Sequence, residues 1–195
     1  MMITRSPGDF STDFVLEKGG AVLNVSDFSK RYAVRILTND DVSKIYNLCK
    51  ENSLYYEYCP PFVTRENILE DMNALPPNKT KSDKFYVGFF DGENLVAVMD
   101  FISDYPERKT AFIGFFMTDK KLQKRGVGSG IISEFIDYLA LSGYSFVRLA
   151  WIKGNALAEH FWLKNGFQMI GETLDMNGHK VIFAERKTVE FPSFL

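Results

Sequence analysis

"LQKRGVGSGIISEF", residues Leu122–Phe135, decides how this chain is read. Three glycines stand at alternate positions, Gly126, Gly128 and Gly130, beside the cations Lys120, Lys121, Lys124 and Arg125. Downstream, Ile131, Ile132, Phe135, Ile136 and Leu139 recur at helical spacing. That stripe predicts a helix from Gly126 to Leu141, with Gly143 as its stop signal. Upstream, "TAFIGFFMT" (Thr110–Thr118) is apolar on both faces, which predicts a central strand. Strand, glycine turn and helix in this order leave backbone N–H groups unpaired at a helix N-terminus, a ready anion site. Glycine matters there because a Cβ would keep a ligand off the backbone.

Three phosphate-binding patterns compete for the turn. A nucleoside-triphosphate loop needs G-x-x-x-x-G-K-[ST], and no lysine follows these glycines. A dinucleotide turn needs G-x-G-x-x-G and an acid at the end of the next strand. Here the spacing is G-x-G-x-G and the next strand ends in "AWIKG". The third pattern, [QR]-x-x-G-x-[GA], is met by Gln123, Lys124, Arg125, Gly126, Val127 and Gly128.

Working outward, "YSFVRLAWI" (144–152) reads as a second buried strand. "NALAEHFWLKNGF" (155–167) reads as a short helix, with Asn155 as N-cap and Gly166 beyond its end. "FQMIGET" and "HKVIFAERK" close the chain as strands. Before the central strand, "KFYVGFF", "DGE" and "NLVAVMDFI" (84–102) form a predicted hairpin. "YAVRIL" is a strand, and "TNDDVSKIYNLCKEN" is a helix capped near Thr38 or Asn39. An aromatic loop, "SLYYEYCPPF", leads to a second helix capped at Thr64, and "LPPNKTKSD" is a connector. Residues 1–30 read as an N-terminal extension in which "FVLEKGGAVLNV" (14–25) predicts a hairpin; residues 31–195 read as the main domain.

Composition narrows the function classes. A chain of 195 residues with 46% hydrophobic residues can bury one sizeable core. A net charge of -2 argues against nucleic-acid binding through bulk charge. No apolar run approaches the roughly 18 residues of a membrane span. The first residues lack a signal-peptide core, so a cytoplasmic location is expected. Two cysteines, Cys49 and Cys59, give no disulfide framework. His160 and His179 have no metal-site spacing, so no metal is expected.

The two motifs in series, from Gly114 to Phe167, carry a family resemblance. The chain resembles the GNAT superfamily of acyl-CoA-dependent N-acetyltransferases. The resemblance implies an α/β (α+β) fold: a mixed, mostly antiparallel sheet of six or seven strands with helices on both faces. It implies acetyl-CoA as co-substrate and a small-molecule or peptide amine as acceptor. No nucleic acid or membrane partner is expected, and homodimers are frequent in the superfamily. It gives the coenzyme pyrophosphate to Gln123, Lys124, Arg125, Gly126, Val127, Gly128 and Ser129. Main-chain groups of Phe116, Met117 and Thr118 would pair with the pantetheine arm where the central strand splays from its neighbour. Asn155 and Ala158 match family positions near that arm.

The chain departs from the pattern at Trp162, where the family often has a tyrosine that protonates the departing thiolate. An indole N–H is no acid near neutral pH. Trp162 shares a helix face with Asn155 and Ala158, so it either walls the thioester channel or packs the core. His160 lies two positions away, about 200° round the helix, and is expected to point elsewhere. A base matters more. An acceptor amine of pKa ~10.4 is neutral in about 1 of 2,500 molecules at pH 7, a cost of about 4.6 kcal/mol. Two carboxylates are candidates, Asp100 inside "NLVAVMDFI" and Glu57 in the aromatic loop. Asp100 alternatively pairs with a basic residue, and Glu57 alternatively faces solvent. Tyr55, Tyr56, Tyr58 and Phe62 either line an acceptor pocket or pack the first helices. Lys79, Lys81 and Lys84 read as a solvated connector. A different function class, a non-catalytic acyl-CoA-binding module on the same fold, is compatible with Trp162. An interaction protein working through residues 1–30 is a further alternative.

Overall fold

The computed structural model describes residues 23–176 and 179–188. Seven strands form one sheet: β1 (Ala33–Ile36), β2 (Lys84–Asp91), β3 (Asn94–Ile102), β4 (Thr110–Thr118), β5 (Phe146–Ile152), β6 (Gln168–Met176) and β7 (His179–Lys187). Their order is β1-β2-β3-β4-β5-β7-β6, so β4 is central, as its two-sided apolarity predicts. Only β4 and β5 run parallel; every other pair is antiparallel. The helices α1 (Val42–Lys50), α2 (Ser53–Tyr58), α3 (Arg65–Asn73), α4 (Val127–Leu141) and α5 (Ala156–Lys164) join the strands.

Two apolar layers sandwich the sheet. On one face, α4 buries Ile131, Ile132, Phe135, Ile136 and Leu139, the stripe read from sequence, and Trp162 of α5 joins this core. Each such side chain contributes about 1.5–3 kcal/mol relative to exposure. Phe28 is fully buried here, edge-on to Phe101 and Phe135 at 5.5 and 5.3 Å. Its segment is tied to α4 by Ser29 and Lys30, which donate to Glu134. On the other face, α1 and α3 bury Ile45, Leu48 and Ile68 against Val98 and Met117.

Two local readings change. The aromatic loop holds a six-residue helix, α2. Asn52 starts it, its amide donating to Leu48 O at 3.0 Å and Thr118 O at 3.3 Å. A helix this short shows no periodicity, and its anchor lies on a distant strand. Lys84 does not belong to a solvated connector: it opens β2 with a buried side chain. Most of the predicted hairpin, residues 14–22, lies outside the described residues; Val25–Asp27 is a 3-10 turn capped by Asn24.

Candidate active site

The glycine turn leaves backbone N–H groups open at the start of α4. Lys124 (φ 59°) and Gly126 (φ 80°) both adopt the left-handed conformation. Gly126 caps α4, and the first helical bond runs from Gly130 N to Gly126 O at 2.9 Å. The N–H groups of Val127, Gly128 and Ser129 therefore have no intrahelical acceptor. Successive N–H groups in such a turn form a concave nest for oxyanions, reinforced by the helix dipole. Lys124 and Arg125 are exposed beside it. Gln123 holds the turn in place, since its amide donates to Asn52 Oδ1 at 2.6 Å and Thr118 O at 3.4 Å and so pins the turn to β4. Gly128 is tightly packed, since a Cβ there would stand 3.2–3.3 Å from Phe161 and Thr118 side-chain carbons.

A cleft opens beside this turn. β4 pairs with β5 only from Thr110–Phe146 to Ile113–Leu149. Beyond that point β4 continues to Thr118 and β5 to Ile152 without a shared ladder. The cause lies on the other edge of β4. Asp100 pairs with Phe115 and Phe101 with Ile113, which leaves Gly114 as an extra, bulged residue that bends the strand. Asp119 N donates to Val96 O at 2.8 Å, which sets the ladder's phase. Strand alternation then turns the main-chain groups of Phe116 and Thr118 toward the cleft. Those of Met117 face β3, so Met117 does not offer main-chain groups to the cleft.

Side chains close the cleft. Phe116 packs on Phe161 and Trp162, with ring centroids 6.0 and 6.1 Å away. Trp162 is 8% exposed and also meets Phe167 edge-on at 5.2 Å, so it is a core aromatic. Asn155 is buried and caps α5, its Oδ1 accepting from Ala158 N at 3.0 Å. His160 is exposed. Trp151, on the end of β5 that has left β4 and pairs with β7, is buried with an indole N–H that has no partner among the described residues. An orphaned buried donor costs about 1–3 kcal/mol unless something accepts from it. An anion nest, an unpaired strand edge and an orphaned indole together fit a long amide-bearing ligand with a phosphate end, as coenzyme A is.

The opposite face holds a pocket of about 250 Å³ between the sheet and α1–α3. Tyr55 and Tyr56 of α2, Tyr86 of β2, Phe115 of β4 and Asp71 of α3 line it, with Cys49. Tyr86 and Phe115 are the cross-strand neighbours of Asp100, so Asp100 lies on the same face between them. Lys84 Nζ donates to Asp100 Oδ2 at 2.7 Å, while Asp100 Oδ1 is buried without a partner among the described residues. Burial pushes the Asp100 carboxyl up, opposed by Lys84. Burial also pushes up Asp71, and the Tyr55, Tyr56 and Tyr86 phenols. The Cys49 thiol is pushed up to about 11 by burial, so it is no ready nucleophile. Glu57 is exposed on α2 and does not line the pocket; the acid there is Asp71. Phe62 is 48% exposed and packs on Tyr56.

The model of the Acetyltransferase (GNAT) family matches residues 42–167. The chain belongs to the GNAT acetyltransferase family. None of the curated proteins compared with it matches. Among solved structures, the chain is similar to an acetyltransferase from Thermus thermophilus, with TM-score 0.65 and 19% identity over 79% of this chain and 95% of that one. It is similar to a spermidine N-acetyltransferase from Vibrio cholerae in complex with CoA and spermine, with TM-score 0.61 and 19% identity over 81% and 96%. It is also similar to a ribosomal-protein alanine N-acetyltransferase from Escherichia coli, with TM-score 0.56 and 13% identity over 84% and 97%. These likenesses establish the shared fold.

Within the GNAT frame, three site features escape a reading of the sequence. Asp71 follows Asn67 by four residues on α3, and only the packing of that helix turns both toward the pocket. Tyr86 and Trp151 each look like one more apolar strand residue. Among the described residues, no cluster of His, Cys, Asp and Glu forms a metal site, and no helix is long and apolar enough to cross a membrane.

Proposed function

We propose that this GNAT protein transfers acetyl from acetyl-CoA directly to an amine. The observation that carries the reading is the cleft between β4 and β5, opening beside the N-terminus of α4. In this reading the amides of Val127, Gly128 and Ser129 hold the pyrophosphate, helped by Lys124 and Arg125. Phe116 and Thr118 offer main-chain groups to the pantetheine arm, and Trp151 donates its indole N–H. The thioester supplies an activated acyl carbon. A β4 amide donated to its carbonyl oxygen stabilises the charge that grows there, and one such donor is worth about 2.7–4 kcal/mol. Holding both reactants across one strand supplies proximity.

The acceptor enters from the face covered by α1–α3. Asp100 lies on that face with one oxygen, Oδ1, lacking a partner among the described residues, and it takes the proton that the neutral amine gives up as it attacks. Trp162 has no acidic proton, so the thiolate leaves unprotonated. The same tryptophan favours a second reading, an acyl-CoA-binding module without turnover. A thiol-release assay with acetyl-CoA and a panel of amines separates the two. Amine-dependent release, reduced at least about tenfold by Asp100→Asn, is expected for the transferase. Coenzyme binding without release for any amine would favour the binding module.

A further inference from the structure

We infer that the tyrosine-walled pocket selects a small organic cation, a primary amine on an apolar stem without a carboxylate, and that Asp71 is the residue that recognises its charge. The inference rests on the reading that the acceptor enters on this face, and it goes further by naming the acceptor's chemistry.

Shape comes first. The pocket is small, about 250 Å³. That suits a compact amine. The walls are aromatic and set at right angles. Tyr55 meets Tyr56 edge-on at 5.1 Å and Phe115 edge-on at 5.6 Å. Such a corner offers ring faces to an apolar stem and to a cation. The phenols stay neutral because burial raises them, so they add no charge of their own.

Charge comes second. Asp71 is the one acid lining the pocket among the described residues, and no Lys or Arg lines it. The nearby cation, Lys84, is committed to Asp100 at 2.7 Å and is 6% exposed. The lining therefore carries one net negative charge once Asp71 is ionised. Asp71 stands on the exposed side of α3, where a ligand can reach it, yet its carboxyl is raised by burial. A carboxylate next to aromatic rings gains from an incoming ammonium. An α-amino acid would bring its own carboxylate into this lining and find no cation to meet it. The pocket thus discriminates through an unpaired charge against the wrong ligand as well as through contact with the right one.

The test uses the whole chain and two probes, 2-phenylethylamine and phenylalanine, which differ by one carboxylate. Calorimetry is expected to show the amine binding at least about tenfold more tightly than the amino acid. Asp71→Asn should weaken the amine by about tenfold, while Glu70→Gln, one residue away and outside the lining, changes it less than about twofold. Coenzyme A affinity should be the same in all three proteins. Asp71→Ala repeats the measurement if Asp71→Asn does not fold. Equal affinity for the two probes, or an Asp71→Asn protein that binds the amine unchanged, would overturn the inference. Thiol release with acetyl-CoA, measured alongside, separates it from the transferase reading. Amine binding that depends on Asp71 without release contradicts transfer and leaves the pocket assignment standing. Release by Asp71→Asn at the wild-type KM does the reverse.

Discussion

Lys84 Nζ stands 2.7 Å from Asp100 Oδ2, and the two side chains are 6% and 14% exposed. They join the first residue of β2 to the seventh of β3 beneath the aromatic pocket. A buried pair of this kind is costly to break, because the partner left behind is an uncompensated charge. Lys84→Met should destabilise the fold by about 3–5 kcal/mol in urea denaturation. The double variant Lys84→Met with Asp100→Leu should recover much of that loss. A single variant as stable as the parent would mean the pair is not formed in solution.

The proposed coenzyme site is tested best at Ser129, the third residue of α4. Gly128 is a poor probe, because a Cβ there crowds Phe161 and Thr118. An acid in the first turn of a helix stabilises it by about 0.3–1 kcal/mol. Ser129→Glu should therefore keep or raise the Tm while opposing a bound pyrophosphate. Coenzyme A affinity is expected to fall at least about tenfold, or 1.4 kcal/mol, by calorimetry. Unchanged affinity in a folded variant would remove the turn from the coenzyme site.

Acid stability should report Asp41. Arg35 donates two hydrogen bonds of 2.7 Å to its carboxylate and, with Thr38 N–H, holds it down at about 2. The folded value lies below the ordinary carboxylate value, so the stabilisation is complete above about pH 4 and fades as the pH falls toward 2. Arg35 is 48% exposed, so solvent screening limits the gain to about 1 kcal/mol. Asp41→Asn should lower stability by that amount at pH 7 and by little at pH 2. A difference that grows on acidification would have the wrong sign.

What could be read in the sequence was local. The α4 stripe, the cap at Thr64 and the Asn155 cap each depend on neighbours within a few positions, and each is where the spacing puts it. Central placement of β4 followed from its apolarity on both faces. The bulge at Gly114 was not legible, because it is a mismatch of register between two strands. Nor was the fate of Lys84, whose partner lies sixteen residues away on the adjacent strand. Asp71 and Tyr86 line one pocket because α3 packs against α1 on that face of the sheet, and nothing in either segment advertises that placement. The cleft between β4 and β5 is thus largely a property of one supersecondary unit. The aromatic pocket is assembled from five separate elements.

The central claim is that the coenzyme lies in the cleft between β4 and β5 with its phosphates on α4. Amide chemical-shift mapping during titration with acetyl-CoA tests it most directly. Saturable shifts are expected at the N–H groups of Phe116, Thr118, Val127, Gly128 and Ser129 and at the Trp151 indole, with α3 amides unmoved. Saturable binding that leaves all of those signals in place, or moves a different surface, would contradict the account.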